Sequence, residues 1–394
     1  MNICMVTYSV YEQDNRPHRY GESLIRAGHT LDVICQNTDG VRRREKYAGG
    51  WLYKIQNRKF DERTPFSYLS KLLRFFTKVF FLITFLHLRR SYDVVHFHNM
   101  PNFGIFSLIP LKLAGVRIVL DIHDLVPEFY ARKFNLNNTH IMIRTLLFVE
   151  RLACAFADHV ITASVLWKED LVPRSVSDAK CSVIINAPYP PLFDSVKNES
   201  SARKKGPLSL IYNGALHEHF GVDVAVRAVG IAKEKKPDIE LHIYGSGREE
   251  ESLKTLTRQL GLEKNVIFHS VVPREEIPRL IKAADLGVVP KKASVFASRA
   301  LSSKLLEFVY METPAVVSRT QASQTYFSEQ TVRFFSPENA EELAEGILYL
   351  ASHTEVAEEM RGHMRRFNQK HHWRNYEKLY FNIIRDTLPH SVTV

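Results

Sequence analysis

Val94-Val95-His96-Phe97 and Ile118-Val119-Leu120-Asp121-Ile122 are two short runs rich in Val and Ile, separated by a helical stretch, 105–114, that closes on Gly115. Each run is continuous rather than alternating, as expected of a strand covered on both faces. The glycine stands where a left-handed cap ends a helix. The same rhythm spreads outward. Runs at 3–7 and 31–35 flank a helical stretch 16–27 ended by Gly28, and further runs follow at 160–163 and 183–185. Strands alternating with helices predict a doubly wound parallel sheet. Ala187-Pro188-Tyr189-Pro190-Pro191 then reads as rigid and extended, and 195–206 as a polar, lysine-rich linker. The rhythm restarts with runs at 208–212, 241–244, 266–269, 286–289 and 315–318. The expected fold is α/β: two Rossmann-like, doubly wound domains facing a cleft that holds the ligand. The expected boundaries are 1–190, 191–370 and a last helix, 371–394, packing back on the first domain. Its stripe of Trp373, Tyr376, Tyr380, Ile383 and Ile384 is spaced for a buried face.

The composition excludes several classes. Of 394 residues, 45% are hydrophobic and 24% charged, an ordinary globular balance. The longest nearly uncharged apolar run, 79–88, is half of the ~20 residues a spanning helix needs. Met1-Asn2-Ile3-Cys4-Met5-Val6 reads as a first strand, not a signal peptide. Cys4, Cys35, Cys154 and Cys181 show no CxxC pairing and are expected to be buried, reduced thiols of a cytoplasmic protein. The net charge of +10 is uneven: a surplus of eight falls in residues 1–190, six of it in 51–100. An anionic partner surface is expected there. Between Phe66 and Arg90, Phe75, Phe76, Phe80, Phe81 and Phe85 alternate with Lys71, Arg74, Lys78, Arg89 and Arg90. This fits a helix in an anionic membrane interface or a domain helix with a solvated basic face. No RNA- or DNA-binding pattern is present, so no nucleic-acid partner is expected.

Chemistry is expected at strand ends. The first β–α loop, 8–16, holds no glycine, which argues against a dinucleotide. Tyr212-Asn213-Gly214 followed by Gly221, and Tyr244-Gly245-Ser246-Gly247, could let a phosphate or a planar group approach the backbone. Ser302-Ser303-Lys304 opens a helix, where free N–H groups and the macrodipole favour an anion, and Glu307 lies one turn further on. A diphosphate at the helix start and a ribose diol on the carboxylate fit this spacing. So does a capping box on Ser303 with an exposed Lys304–Glu307 ion pair. In the first half His123-Asp124 follows a strand, and His96, His98 and Asn99 end another. His96-x-His98 lacks a third ligand of convincing spacing, so no metal is expected.

Together these motifs resemble the retaining GT-B glycosyltransferases of family 4. The resemblance runs through Asp14-x-Arg16, Ala27-Gly28-His29, Tyr92-Asp93-Val94-Val95-His96-Phe97-His98, Asp121-Ile122-His123-Asp124 and Glu150-Arg151-Leu152. It continues through Ala284-Asp285-Leu286-Gly287-Val288-Val289-Pro290, Lys304-Leu305-Leu306-Glu307-Phe308 and Pro314-Ala315-Val316-Val317. It implies a UDP- or GDP-sugar donor, held by Gly214, Gly245, Arg248, Arg299, Ser302, Ser303, Lys304 and Glu307, with Glu307 on the ribose. It places His123 beside the transferred sugar and Arg16, His98, Asn99 and Asp124 toward a lipid-linked or polysaccharide acceptor. It implies no metal or other cofactor. The family's first glutamate of E-x7-E is replaced by Arg299, and its Arg and Lys after the first donor-domain strand by Ala215 and Phe220. A nucleotide-sugar 2-epimerase or a non-catalytic scaffold of the same fold are the alternatives.

Overall fold

A computed structural model describes residues 1–38, 43–58, 65–99, 101–137, 139–198, 206–292 and 298–387. The chain divides into two compact units. One comprises Met1–Ile185 together with the chain from Tyr376 onward, and the other Asn186–Asn375.

The first unit is built on eight strands: β1 (Asn2–Val10), β2 (Thr30–Asn37), β3 (Arg43–Tyr47), β4 (Gly50–Asn57), β5 (Val94–His98), β6 (Arg117–Ile122), β7 (His159–Thr162) and β8 (Cys181–Val183). Their order is β3-β4-β2-β1-β5-β6-β7-β8, parallel throughout except for the β3–β4 hairpin. The order reverses direction beside β1, which leaves a crevice at the carboxyl ends of β1, β5 and β6. The hairpin is absent from the sequence reading, because its strands carry charge in place of a continuous apolar run. Its turn sets both Ala48 (φ 36°) and Gly49 (φ 87°) in the left-handed region. All four cysteines are free and buried.

The second unit has six parallel strands: β9 (Leu208–Asn213), β10 (Ile239–Tyr244), β11 (Val266–His269), β12 (Leu286–Val289), β13 (Ala315–Ser318) and β14 (Arg333–Phe335). Their order is β11-β10-β9-β12-β13-β14, with the reversal between β9 and β12. The three-residue β14 is also missing from the sequence reading.

The segment read as extended corrects that reading. Pro190 and Pro191 open a helix, Pro190–Lys197, because a proline in the first turn has no N–H to leave unpaired. Of the expected linker, residues 199–205 lie outside the described residues. Gly28 (φ 80°) and Gly115 (φ 86°) take the left-handed caps expected of them. The stretch 105–114 is tighter than expected: turns of 3-10 helix over Asn102–Leu108 precede a short helix, Ile109–Leu113. In the last helix Trp373, Tyr380, Ile383 and Ile384 are buried as their spacing predicts.

Candidate functional site

In the second unit, β9 ends on Asn213, and Gly214 follows with φ 138°. A Cβ there would stand 3.0 Å from the Lys304 ammonium, so the glycine lets the lysine lie against the strand end. Gly245 (φ 154°) is packed closer still: its Cβ would fall 1.9 Å from the Gly214 carbonyl oxygen. The helix Ser303–Tyr310 begins beside this glycine floor. Its N-cap is Ser302, whose hydroxyl accepts from the Leu305 N–H at 3.4 Å, and Ser303 is the exposed first residue. This corrects the capping-box alternative on Ser303: the cap is one residue earlier and no acidic partner completes it.

The expected Lys304–Glu307 pair is not formed either. Lys304 Nζ donates to the Tyr212 hydroxyl at 3.0 Å and lies 4.2 Å and 4.4 Å from the Tyr212 and Phe220 ring centroids. Two aromatic faces attract the ammonium by their quadrupoles. Glu307 instead accepts from Asn213 Nδ2 at 3.0 Å. Burial lowers the Lys304 pKa to about 7, with repulsion from Lys291 adding to it. Burial also raises Glu307 to about 7, against the stabilising Asn213 bond and Lys304 charge. Burial thus pushes both groups toward their neutral forms. Arg299 donates to Gln321 Oε1 at 3.0 Å, and Arg248 is exposed in the turn before the helix Glu250–Gln259. Gly214, Gly245, Lys304 and Glu307 are thus gathered at one strand end. Asn213, Tyr212 and Phe220 escaped the sequence reading as functional partners, because only the fold brings them to the helix.

The first unit gathers its groups more tightly. The Asp14 side chain accepts from the Arg16 N–H and starts the helix Asn15–Arg26, which directs Arg16 inward. β5 and β6 pair in a register that sets His98 opposite Asp121. Arg16 grips Asp121 with two hydrogen bonds of 2.7 Å and also donates to the Ile184 carbonyl at 2.9 Å. His98 Nδ1 is 2.9 Å from the same carboxylate, and His123 Nδ1 is 3.6 Å from it. Arg16 overcomes burial and holds the Asp121 carboxyl well below the usual carboxylate range. Burial depresses His98, whereas at His123 the Asp121 charge outweighs burial and raises the pKa. Asn99 links the strand end to the loop beyond it, donating to the Asp124 carbonyl at 2.8 Å and accepting from the His123 N–H at 3.1 Å. Burial raises the Asp124 pKa. Arg16 and His98, expected on the acceptor side, are 4% and 1% exposed. Arg16 and His98 Nδ1 hold Asp121, and the His98 ring lies 6.3 Å from that of His123.

Among the described residues, His96, His98 and Asp121 bring potential ligand atoms within 4.8 Å of one another. Strand register supplies this third group, which sequence spacing concealed. Both Asp121 oxygens are already engaged by Arg16, so the cluster's charge and geometry fit a guanidinium rather than a divalent cation.

Two family models divide the chain between them. "Glycosyl transferase 4-like domain" matches residues 14–187, and "Glycosyl transferases group 1" matches 194–370. The chain belongs to the GT4-like glycosyltransferases of GT-B fold. This glycosyltransferase is 24% identical to an uncharacterized glycosyltransferase of Methanocaldococcus jannaschii, over 75% of this chain and 74% of that one. It is also 24% identical to the D-inositol 3-phosphate glycosyltransferase of Corynebacterium aurimucosum, covering 54% of this chain. That match spans about half of the relative's length (53%), and the match to EpsD of Bacillus subtilis, again 24% identical, covers 58% of this chain and 59% of the relative. Among solved structures, sucrose-phosphate synthase from Thermosynechococcus elongatus superposes with a TM-score of 0.77 over 98% of both chains at 18% identity. Anabaena HepE in complex with UDP gives 0.72 over 98% of this chain and 100% of that one at 15% identity. These likenesses show the fold that the glycosyltransferase shares with them.

Proposed function

We propose that this glycosyltransferase moves a hexosyl group, with retention, from a UDP- or GDP-sugar to a hydroxyl of a lipid-linked or polysaccharide acceptor. The observation that carries the donor assignment is the placement of Lys304 and Glu307 at one strand end, each bonded to a neutral partner and shifted to about 7 by burial. A bound nucleoside diphosphate supplies what each lacks. The diphosphate restores charge to Lys304 and meets the free N–H groups that open the helix, and the ribose diol donates to Glu307. Gly214 and Gly245 keep the backbone low enough for that approach. Arg248 and Arg299 are the outer donor contacts, and Ser302 and Ser303 border the helix start.

His123 sits beside the transferred sugar in this reading, its backbone N–H held by Asn99 and its Nδ1 3.6 Å from the Asp121 charge that favours its protonated form. Asn99 and Asp124 face the acceptor, and Arg16 and His98 hold the carboxylate whose charge acts on His123. Stabilisation of the leaving diphosphate by Lys304 and the helix start carries most of the barrier reduction. No carboxylate is assigned as a covalent nucleophile, because Asp121 is locked by Arg16 and Glu307 by Asn213. The activity needs no metal, and the enzyme works in the cytoplasm, with residues 66–90 touching an anionic membrane surface. HepE, crystallised with UDP, supports the donor class.

Thermal-shift titration with UDP- and GDP-sugars tests this reading. A rise in melting temperature that Glu307→Ala abolishes, with the unliganded melt unchanged, is the expected result. Stabilisation that survives Glu307→Ala would contradict the ribose assignment. Conversion of a donor to its 2-epimer without acceptor would indicate the isomerase instead.

A further inference from the structure

Eleven of the fifteen large hydrophobic side chains exposed among the described residues fall between 69 and 152. Ten of the eleven lie on three helices. The long helix Pro65–Arg90 exposes Phe81 (67%), Phe85 and Leu88 (80%) at spacings of three and four. The helix Ile109–Leu113 exposes Leu113 (84%), and the helix Ile141–Phe156 exposes Phe148 (60%). These helices are neighbours. The first packs on segment 102–113, and that segment packs on the third, where Phe106 and Phe156 meet at 5.6 Å. Together they form one layer, because successive crossovers from β4 to β5, β6 and β7 advance in one direction along the sheet.

The charges on this layer are of one sign. The first two helices contain no acidic residue. The third contains only Glu150, which is buried and held by Arg174 at 2.8 Å and Ser175 at 2.7 Å. Arg74, Arg89, Arg144 and Arg151 are exposed among the apolar side chains, with Arg89 4.2 Å over the Phe85 ring. No described helix is long and apolar enough to cross a membrane.

We infer that these three helices form one continuous docking face for the surface of an anionic lipid bilayer, with the aromatic and leucine side chains seated among the acyl chains and the arginines among the headgroups. The inference rests on the membrane contact proposed for residues 66–90, and it widens that contact to 109–113 and 141–156. A bilayer surface is matched in both respects: it accepts apolar side chains to a shallow depth and carries the opposite charge. A second copy of the same face would set arginine against arginine.

The test is flotation of the full chain with phosphatidylcholine vesicles, with and without phosphatidylglycerol, at low and high salt. Binding is expected only with phosphatidylglycerol and is expected to weaken with salt. Phe81→Ser/Phe85→Ser, Leu113→Ser/Phe148→Ser and Arg144→Glu/Arg151→Glu are each expected to weaken it by about tenfold or more, since one basic charge near an anionic surface is worth about fivefold. Melting temperatures and UDP- or GDP-sugar binding, followed in parallel, are expected to match the unsubstituted chain. A failure of the donor reading therefore shows separately. Wild-type binding by both the Leu113/Phe148 and Arg144/Arg151 variants would confine the contact to 66–90 and overturn the three-helix face. No vesicle binding by the unsubstituted chain, or self-association lost through these substitutions, would overturn the lipid assignment.

Discussion

The two units carry ionisable groups at equivalent places, the carboxyl ends of their central strands, and treat them in opposite ways. In the first, Asp121 is fully buried and takes three hydrogen bonds from Arg16 and His98, so its charge is settled inside the protein. In the second, Lys304 and Glu307 are three residues apart on one helix and bond to neutral partners, Tyr212 and Asn213. Each is pushed toward neutrality at about 7. The difference separates a frame from a binding site. A charge paired within the fold stabilises a geometry, whereas a charge left with neutral partners keeps interaction energy for a ligand.

Substitutions that break each arrangement sharpen this contrast. Arg16→Met leaves Asp121 buried without its counter-charge, and a loss of about 3–5 kcal/mol of unfolding free energy is expected in urea denaturation. Lys304→Met is expected to leave that stability within about 1 kcal/mol, since it removes a desolvated charge, and to lower kcat/KM by about 100-fold or more. Comparable stability losses for the two would erase the distinction. Asn213→Ala is smaller in effect, about tenfold in donor affinity, because Glu307 remains but loses its anchor. Tyr212→Phe keeps the ring and removes the hydroxyl, and a change of about threefold is expected.

Much of the frame is legible in the sequence, and the reasons differ along the chain. Parallel strands buried on both faces announce themselves as continuous apolar runs, so nearly every central strand is found within a residue or two. The β3–β4 hairpin is concealed by its charged strands, and the helix Pro190–Lys197 by prolines that mark a helix start as readily as a linker. Ser302, Lys304 and Glu307 are recognisable because one helix spaces them. Asn213, Tyr212 and Phe220 act on them from about ninety residues away in the chain, and Asp121 reaches His98 only through strand register. Local pattern supplies the helix, and only the sheet order supplies its partners.

The most direct measurement is calorimetric titration of UDP and GDP into the protein between about pH 6 and 8.5, in buffers of different ionisation enthalpy. A diphosphate binds protonated Lys304, so above about 7 binding must draw in a proton and affinity falls toward tenfold per pH unit. The ribose diol binds ionised Glu307, so below about 7 a proton must leave and affinity falls again. The account predicts a maximum near pH 7, proton uptake on its alkaline side, and loss of that uptake in Lys304→Met. Binding that is independent of pH, or equally tight without Lys304, would contradict it.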